Sequence, residues 1–256
     1  MNRGEQVELD HHRLMCGDAR EDLQDFIKDE KVKLILSDPP YGVDRMRGGT
    51  RTNDYEKPIT ITKKLEETGR VMNSMEFPVW VGDEDDFDPQ PMVDLGVPMI
   101  LFGGNYFHNL LPNGKKWYVW FKKPSLDKGK EGGSWSDCEL IYTTLDGIRC
   151  ELLHQTWWGM IRKGERRLES MTRNHPTQKP VGILMELLEK HTKKGDTVLD
   201  PYSGGGSTLI ACAETGRKCL AMEIMPEYCD RIISRYQQYK EDTIKKYGSF
   251  NDFLLT

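Results

Sequence analysis

Three observations predict an α/β fold with a mostly parallel sheet for this chain of 256 residues. Short, near-continuous apolar runs such as VKLIL at 32–36 and MILF at 99–102 suit strands covered on both faces. These runs alternate with segments of helical period, which supply the crossovers that parallel strands need. One strand, VLD at 198–200, runs through the glycine-rich turn PYSGGGS straight into a helix.

In chain order, RLMC at 13–16 reads as a strand that turns at Gly17-Asp18 into a helix. VKLILS follows as a buried strand and ends in the tetrapeptide DPPY at 38–41. The pattern then fails over residues 42–91, a long loop with RMRGGTRTND near its start and the acidic GDEDDFDPQP at its end. Loops of that length are usually functional or mobile. VPMILFGGNYF, KKWYVWFKK and DCELIYTT read as further strands. Residues 125–174 are rich in Gly, Lys, Arg and Trp and are expected to form an insert on the main fold. VGILMELLEKHT is an amphipathic helix with Ile183, Leu184, Leu187 and Leu188 on one face. KCLAMEI is the next strand, and PEYCDRIISRYQQYKE closes the chain as a helix with Pro226 in its first turn. No internal repeat is visible, and residues 1–256 read as a single domain.

Charged residues make up 30% and the formal net charge is -5, which argues mildly against a nucleic-acid binder, although local patches matter more than the sum. No apolar run approaches the roughly 18 residues of a membrane span. The polar start MNRGEQVELDHH has no signal-peptide core, so a cytoplasmic protein without membrane partners is expected. The six cysteines form no C-x-x-C pair, so reduced thiols and no metal site are expected.

Two segments carry chemistry. In DPPY, two prolines hold the chain extended and hold Asp38 and Tyr41 stiffly at a strand end. In LDPYSGGGST at 199–208, Gly204, Gly205 and Gly206 let the backbone approach a ligand at a helix N-terminus. No Lys precedes Ser207, so the turn is not a phosphate P-loop. The next strand ends in Glu223, an acid placed to grip both hydroxyls of a ribose. Together they suit an adenosine-containing cofactor without a pyrophosphate. The plainer readings are a tight turn with a solvated Glu223, and Asp38 as a helix cap.

DPPY, HPTQKP at 175–180 and LDPYSGGGST, in that order, resemble the DNA amino-methyltransferases that use S-adenosylmethionine, and within them the permuted beta class. FGGNYF and SDCEL resemble segments of phage and prophage members. The similarity runs from GDA near residue 17 to the last helix. Tyr202 stands where the family more often has Phe, and Gly205 fills its small position. The chain does not carry the longer C-terminal extension of some cell-cycle members, which moves the expected target recognition to the central insert and the loop after Tyr41.

The resemblance implies a Rossmann-like methyltransferase fold with helices on both faces of the sheet and a target-recognition insert at 125–174. It implies methyl transfer to the exocyclic amino group of adenine in double-stranded DNA, with the base flipped out of the helix. Asp38 and the carbonyl of Pro39 would accept the amino hydrogens, Pro40 would stiffen the segment, and Tyr41 would stack on the base. On the cofactor side it implies Asp200, Tyr202, Gly204, Gly206, Ser207 and Thr208 around the methionine part, and His175 and Lys179 at its carboxylate. It further implies Glu223 on the ribose and Asp18 on the adenine amino group. His175 as a turn residue and Asp18 as a helix N-cap are the structural alternatives. DNA contact is expected from Arg45 and Arg47 after Tyr41, and from Arg162, Lys163, Arg166 and Arg167, with Lys122, Lys123, Arg51 and Arg173 in the same basic clusters. A solvated charged face is the alternative there, and Trp157 and Trp158 read as core or as base-stacking. Cytosine-N4 methylation, a non-catalytic DNA-binding relative, and an RNA or protein-amide methyltransferase are the competing functions. A homodimer and a cognate restriction endonuclease complete the expected partners.

Overall fold

The structure, a computed structural model, describes residues 1–41, 59–61, 75–77, 87–114, 116–124, 136–147, 149–158, 161–169 and 175–250, with backbone alone at 59–61, 75–77, 158 and 161–162. It divides into one unit of residues 1–39 and 88–256 and a second of residues 40–87. The first unit opens with β1 (Gln6–Leu9), β2 (His12–Cys16), α1 (Leu23–Ile27) and β3 (Val32–Ser37). The second unit holds an antiparallel pair, β4 (Ile59–Ile61) and β5 (Met75–Phe77), in the segment expected as loop. The first unit resumes with α2 (Gln90–Val93), β6 (Met99–Phe102), β7 (Lys116–Phe121), β8 (Cys138–Thr143) and β9 (Cys150–His154). A short antiparallel pair follows, β10 (Trp157–Trp158) and β11 (Ile161–Arg162), then α3 (Arg166–Glu169) and α4 (Val181–His191). β12 (Thr197–Asp200), α5 (Ser207–Thr215), β13 (Lys218–Glu223) and α6 (Pro226–Tyr247) end it.

One nine-stranded sheet organises the first unit, in the order β1-β2-β13-β12-β3-β6-β8-β7-β9. The run from β2 through β13, β12 and β3 to β6 is parallel throughout. Its middle strands are built for burial on both faces: every residue of β6 is buried, as are Leu34, Ile35 and Leu36 of β3. β8 enters antiparallel between β6 and β7, and β9 returns parallel to β7. Part of the expected insert at 125–174 thus belongs to the sheet. Residues 138–154 supply two strands of the central sheet, because Leu140, Ile141 and Tyr142 of β8 pair with β7, Ile141 and Tyr142 pair with β6 as well, and both of these are fully buried.

The helices follow their sequences. α4 buries Val181, Ile183, Leu184, Leu187 and Leu188, the face expected from their spacing, and packs on α5. α5 begins after Gly206, whose φ of 74° is left-handed, and ends at Gly216, whose N–H caps the carbonyls of Cys212 and Ala213. Pro226 begins α6, where its missing N–H costs no hydrogen bond. Among the described residues no helix is long and apolar enough to cross a membrane.

Candidate active site

Chain order and sheet order together bring four acids to one edge. β2, β13, β12 and β3 are adjacent and parallel, so their carboxyl ends point the same way. Asp18 lies just past the end of β2, Glu223 ends β13, Asp200 ends β12, and Asp38 directly follows Ser37, the last residue of β3. Crevices at the carboxyl ends of such strands are the usual ligand sites of α/β sheets.

The acids are held from within. Glu223 is buried, and its Oε2 accepts the Gly204 N–H at 2.8 Å while Oε1 accepts that of Met225 at 3.0 Å. Burial pushes the Glu223 carboxyl up to about 7, against the pull of the amides of Met225, Gly204 and Ile224. Asp200 is likewise buried and pushed up to about 6, although Ser37 Oγ donates to its Oδ1 at 2.6 Å and Thr208 and the Tyr202 amide also bond to it. Burial also raises the Tyr202 phenol, which is half-buried beside the turn.

The glycine turn rests on His175 and α6. The buried His175 ring packs edge-on against Tyr228 at 4.5 Å between centroids, and its Nδ1 bonds the Thr177 hydroxyl at 3.1 Å. A Cβ on Gly205 would lie 3.0 Å from His175 Cβ, so the turn can approach this closely only without a side chain. Arg235 of α6, unnoticed in the sequence, donates from Nη1 to Gly205 O at 2.6 Å and to Ser207 Oγ at 3.1 Å.

Lys179, expected at a ligand carboxylate, meets two carboxylates of the protein. Its ammonium lies 2.6 Å from Asp38 Oδ2 and 3.2 Å from Glu139 Oε1, and above the Phe102 ring. Burial on its own would weaken the ammonium's hold on its proton. The charges of Asp38 and Glu139 more than offset this and raise its pKa above the ordinary lysine value. Glu139 carried no assigned role in the sequence. The available signal was an acid on the same face of a strand as the buried Ile141. Asp18 also differs from an open acceptor: Arg20 Nε bonds Oδ1 at 3.0 Å and Nη2 bonds Oδ2 at 2.8 Å, which holds the carboxyl below its ordinary range.

The expected basic cluster divides. Lys163 and Arg166 are exposed. Arg167 is a correction: it is buried, and its guanidinium bonds Glu214 at 2.6 and 2.7 Å and Thr243 at 3.1 Å, so it ties α3 to α5 and α6 and is withdrawn from the surface. Lys122 pairs with Glu139 and Lys123 with Asp137. Trp157 packs against the core and donates to Gln178 O at 3.1 Å, which favours its core reading. Arg45, Arg47, Arg51 and Arg173 lie outside the described residues, as do the side chains of Arg162 and Trp158. Pro40 and Tyr41 belong to the second unit.

A family model described as DNA methylase matches residues 149–235. The type II methyltransferase M.HpaI of Haemophilus parainfluenzae is 23% identical in an alignment of 248 residues that takes in 87% of this chain and 73% of that one. Higher identity is confined to short stretches. YubD of Escherichia coli (strain K12), named as a methylase, is 42% identical over 59 residues, 23% of this chain and 26% of that protein's length. Among solved structures, the PvuII DNA methyltransferase (cytosine-N4-specific) aligns over 99% of this chain and 96% of its own with a TM-score of 0.53 and 15% identity. The M1.HpyAVI–SAM complex aligns over 87% and 97% with a TM-score of 0.50 and 18% identity. The fold is thus a Rossmann-like α/β fold, similar to that of these two enzymes, as the motifs led one to expect.

Proposed function

We propose that this protein transfers a methyl group from S-adenosylmethionine to the exocyclic amino group of a base in double-stranded DNA, and that the base is adenine. The observation that carries this reading is the alignment of Asp18, Glu223, Asp200 and Asp38 along one sheet edge, with the Gly204–Gly206 turn beside Asp200 and Glu223. The matches to DNA methylases support the substrate class.

The donor set suits the cofactor. S-adenosylmethionine, when bound, supplies an electrophilic methyl group on a sulfonium. A carboxylate has about four acceptor sites, so Glu223 keeps capacity for a ribose hydroxyl beside the amides it already accepts. Asp200, Tyr202, Ser207 and Thr208 with the glycine turn would take the methionine part. His175 would serve the site by packing against that turn.

On the substrate side, the lone pair of an exocyclic amino group is delocalised into its ring. Asp38 and the Pro39 carbonyl, accepting its two hydrogens, concentrate that pair on nitrogen and aim it. The gain comes from positioning and electrostatics and needs no covalent enzyme intermediate. Tyr41, three residues along the chain, would stack on the flipped base and recover part of its unstacking cost. Lys163 and Arg166 would meet phosphates, with Arg45, Arg47 and Arg162 in the same role.

Asp at position 38 favours adenine, since cytosine-N4 enzymes more often have Ser there. The likeness to a cytosine-N4-specific fold keeps cytosine as the second reading. Incubating duplex DNA with the protein and S-adenosylmethionine, then identifying the methylated nucleoside by mass spectrometry, tests both. N6-methyladenine is expected, N4-methylcytosine would move the base assignment, and an unmodified digest would reject the function.

A further inference from the structure

We propose that Glu139 is a positioning residue which, with Lys122 behind it, holds the Lys179 ammonium against Asp38, so that Lys179 serves the catalytic carboxylate and not the cofactor. This rests on the functional reading above for its chemistry, although the contact itself does not.

The geometry is a chain of alternating charges. Lys122 Nζ lies 3.4 Å from Glu139 Oε2, Glu139 Oε1 lies 3.2 Å from Lys179 Nζ, and Lys179 Nζ lies 2.6 Å from Asp38 Oδ2. Four elements contribute: β8 carries Glu139, the end of β7 leads into Lys122, the end of β3 leads into Asp38, and the segment before α4 carries Lys179. Along this chain of charges each carboxylate faces a cation, the arrangement in which largely buried charges are tolerated. The Phe102 ring, 5.4 Å from the ammonium, and Asp200, whose carboxyl feels the charge of Asp38, also bear on it.

An acceptor for an amino hydrogen must be fixed in direction and must keep enough negative charge to attract it. Lys179 fixes Asp38 by binding Oδ2. A lone ammonium at that distance would also drain the carboxylate. Glu139 shares the same ammonium and limits that loss. Two of the three donors of the ammonium face protein carboxylates, Asp38 and Glu139. Loss of the Glu139 charge would leave Lys179 to Asp38 alone, weaken the acceptor and lower the proton affinity of the ammonium.

The test uses the full chain and the variants Glu139→Gln, Glu139→Asp and Lys179→Met. Glu139→Gln should lower kcat for DNA methylation about 10- to 100-fold, the scale of a small misplacement at the reacting centre, with little change in the KM for S-adenosylmethionine. The alkaline limb of its kcat–pH profile should move to lower pH. Glu139→Asp keeps the charge and should keep that limb near its wild-type position. Lys179→Met should lose turnover yet bind S-adenosylmethionine within about threefold of wild type by calorimetry, well under the 1.4 kcal/mol that a tenfold change represents. Without any substrate, a 13C NMR titration of the Lys179 ε-carbon should show a lower apparent pKa in Glu139→Gln. An unmoved NMR titration, or a Lys179→Met loss of cofactor affinity as large as its loss of turnover, overturns the proposal. A wild-type protein that methylates no DNA overturns the functional reading instead, and the NMR titration still decides the contact.

Discussion

Ser37 Oγ donates to Asp200 Oδ1 across 2.6 Å, joining the ends of the neighbouring parallel strands β3 and β12. One end leads into Asp38 and the other into the glycine turn, so this buried bond couples the two motif segments. Ser37→Ala should therefore destabilise the protein by about 1–3 kcal/mol, the cost of weakening the satisfaction of a buried acceptor. Urea denaturation checks this. A loss well under 1 kcal/mol would mean that Thr208 and the Tyr202 amide satisfy Asp200 without it.

Glu223 gives a pH dependence with a definite sign. Its folded pKa, about 7, is raised above the ordinary 4.5. The protonated form is thus favoured on folding, and this contribution is fully present below about pH 4.5 and lost as pH rises through about 7. The ligand-free wild type should lose roughly 2–4 kcal/mol over that window relative to Glu223→Gln. Ribose hydroxyls donate best to the ionised acid, so affinity for S-adenosylmethionine should rise from pH 6 to pH 8 in the wild type and stay flat in Glu223→Gln. Glu223→Ala should weaken binding by about 1–3 kcal/mol. Calorimetry at the two pH values reads all three.

Basic residues close together in the chain should behave in opposite ways. Lys163→Ala with Arg166→Ala removes exposed charge, so DNA affinity should fall and its salt dependence should flatten, by about 0.9 in slope for each phosphate no longer neutralised, with stability unchanged. Arg167→Ala removes the cation paired with the Glu214 carboxylate, which keeps the Tyr239 hydroxyl, and should cost about 3–5 kcal/mol of stability. Filter binding across a salt series and thermal unfolding separate the two. A stable Arg167→Ala protein with a reduced salt slope would return Arg167 to the DNA surface.

Tyr41→Phe should keep most methyl transfer and Tyr41→Ala should lose most of it, because stacking needs the ring and not the hydroxyl. A duplex carrying 2-aminopurine at the target position should brighten on binding. Equal losses in both variants would instead assign the work to the hydroxyl.

The parallel core was legible because its code is local. Apolar runs fixed β3, β6, β12 and β13, and the glycine turn announced the start of α5. The antiparallel half was harder to read. β9 alternates exposed and buried residues at the sheet edge, with Leu152 open to solvent, and so lacks a continuous apolar run. That is why β9 does not read as a strand in the sequence, whereas β7 and β8 do. The candidate site was legible as motifs, while the pairings between them were not. Nothing local in HPTQKP tells that Lys179 meets Asp38, 141 positions away in the chain. Likewise RKGERR does not show that its last arginine turns inward to Glu214, since burial of a charge depends on a partner supplied by another element.

The most direct test of the account is the nucleoside composition of duplex DNA after incubation with S-adenosylmethionine and either the wild type or Asp38→Ala, with cofactor binding measured alongside. The account predicts N6-methyladenine from the wild type, almost none from Asp38→Ala, and cofactor affinity in Asp38→Ala close to that of the wild type. Full turnover by Asp38→Ala, or no methylated base from a wild type that binds the cofactor, would contradict it.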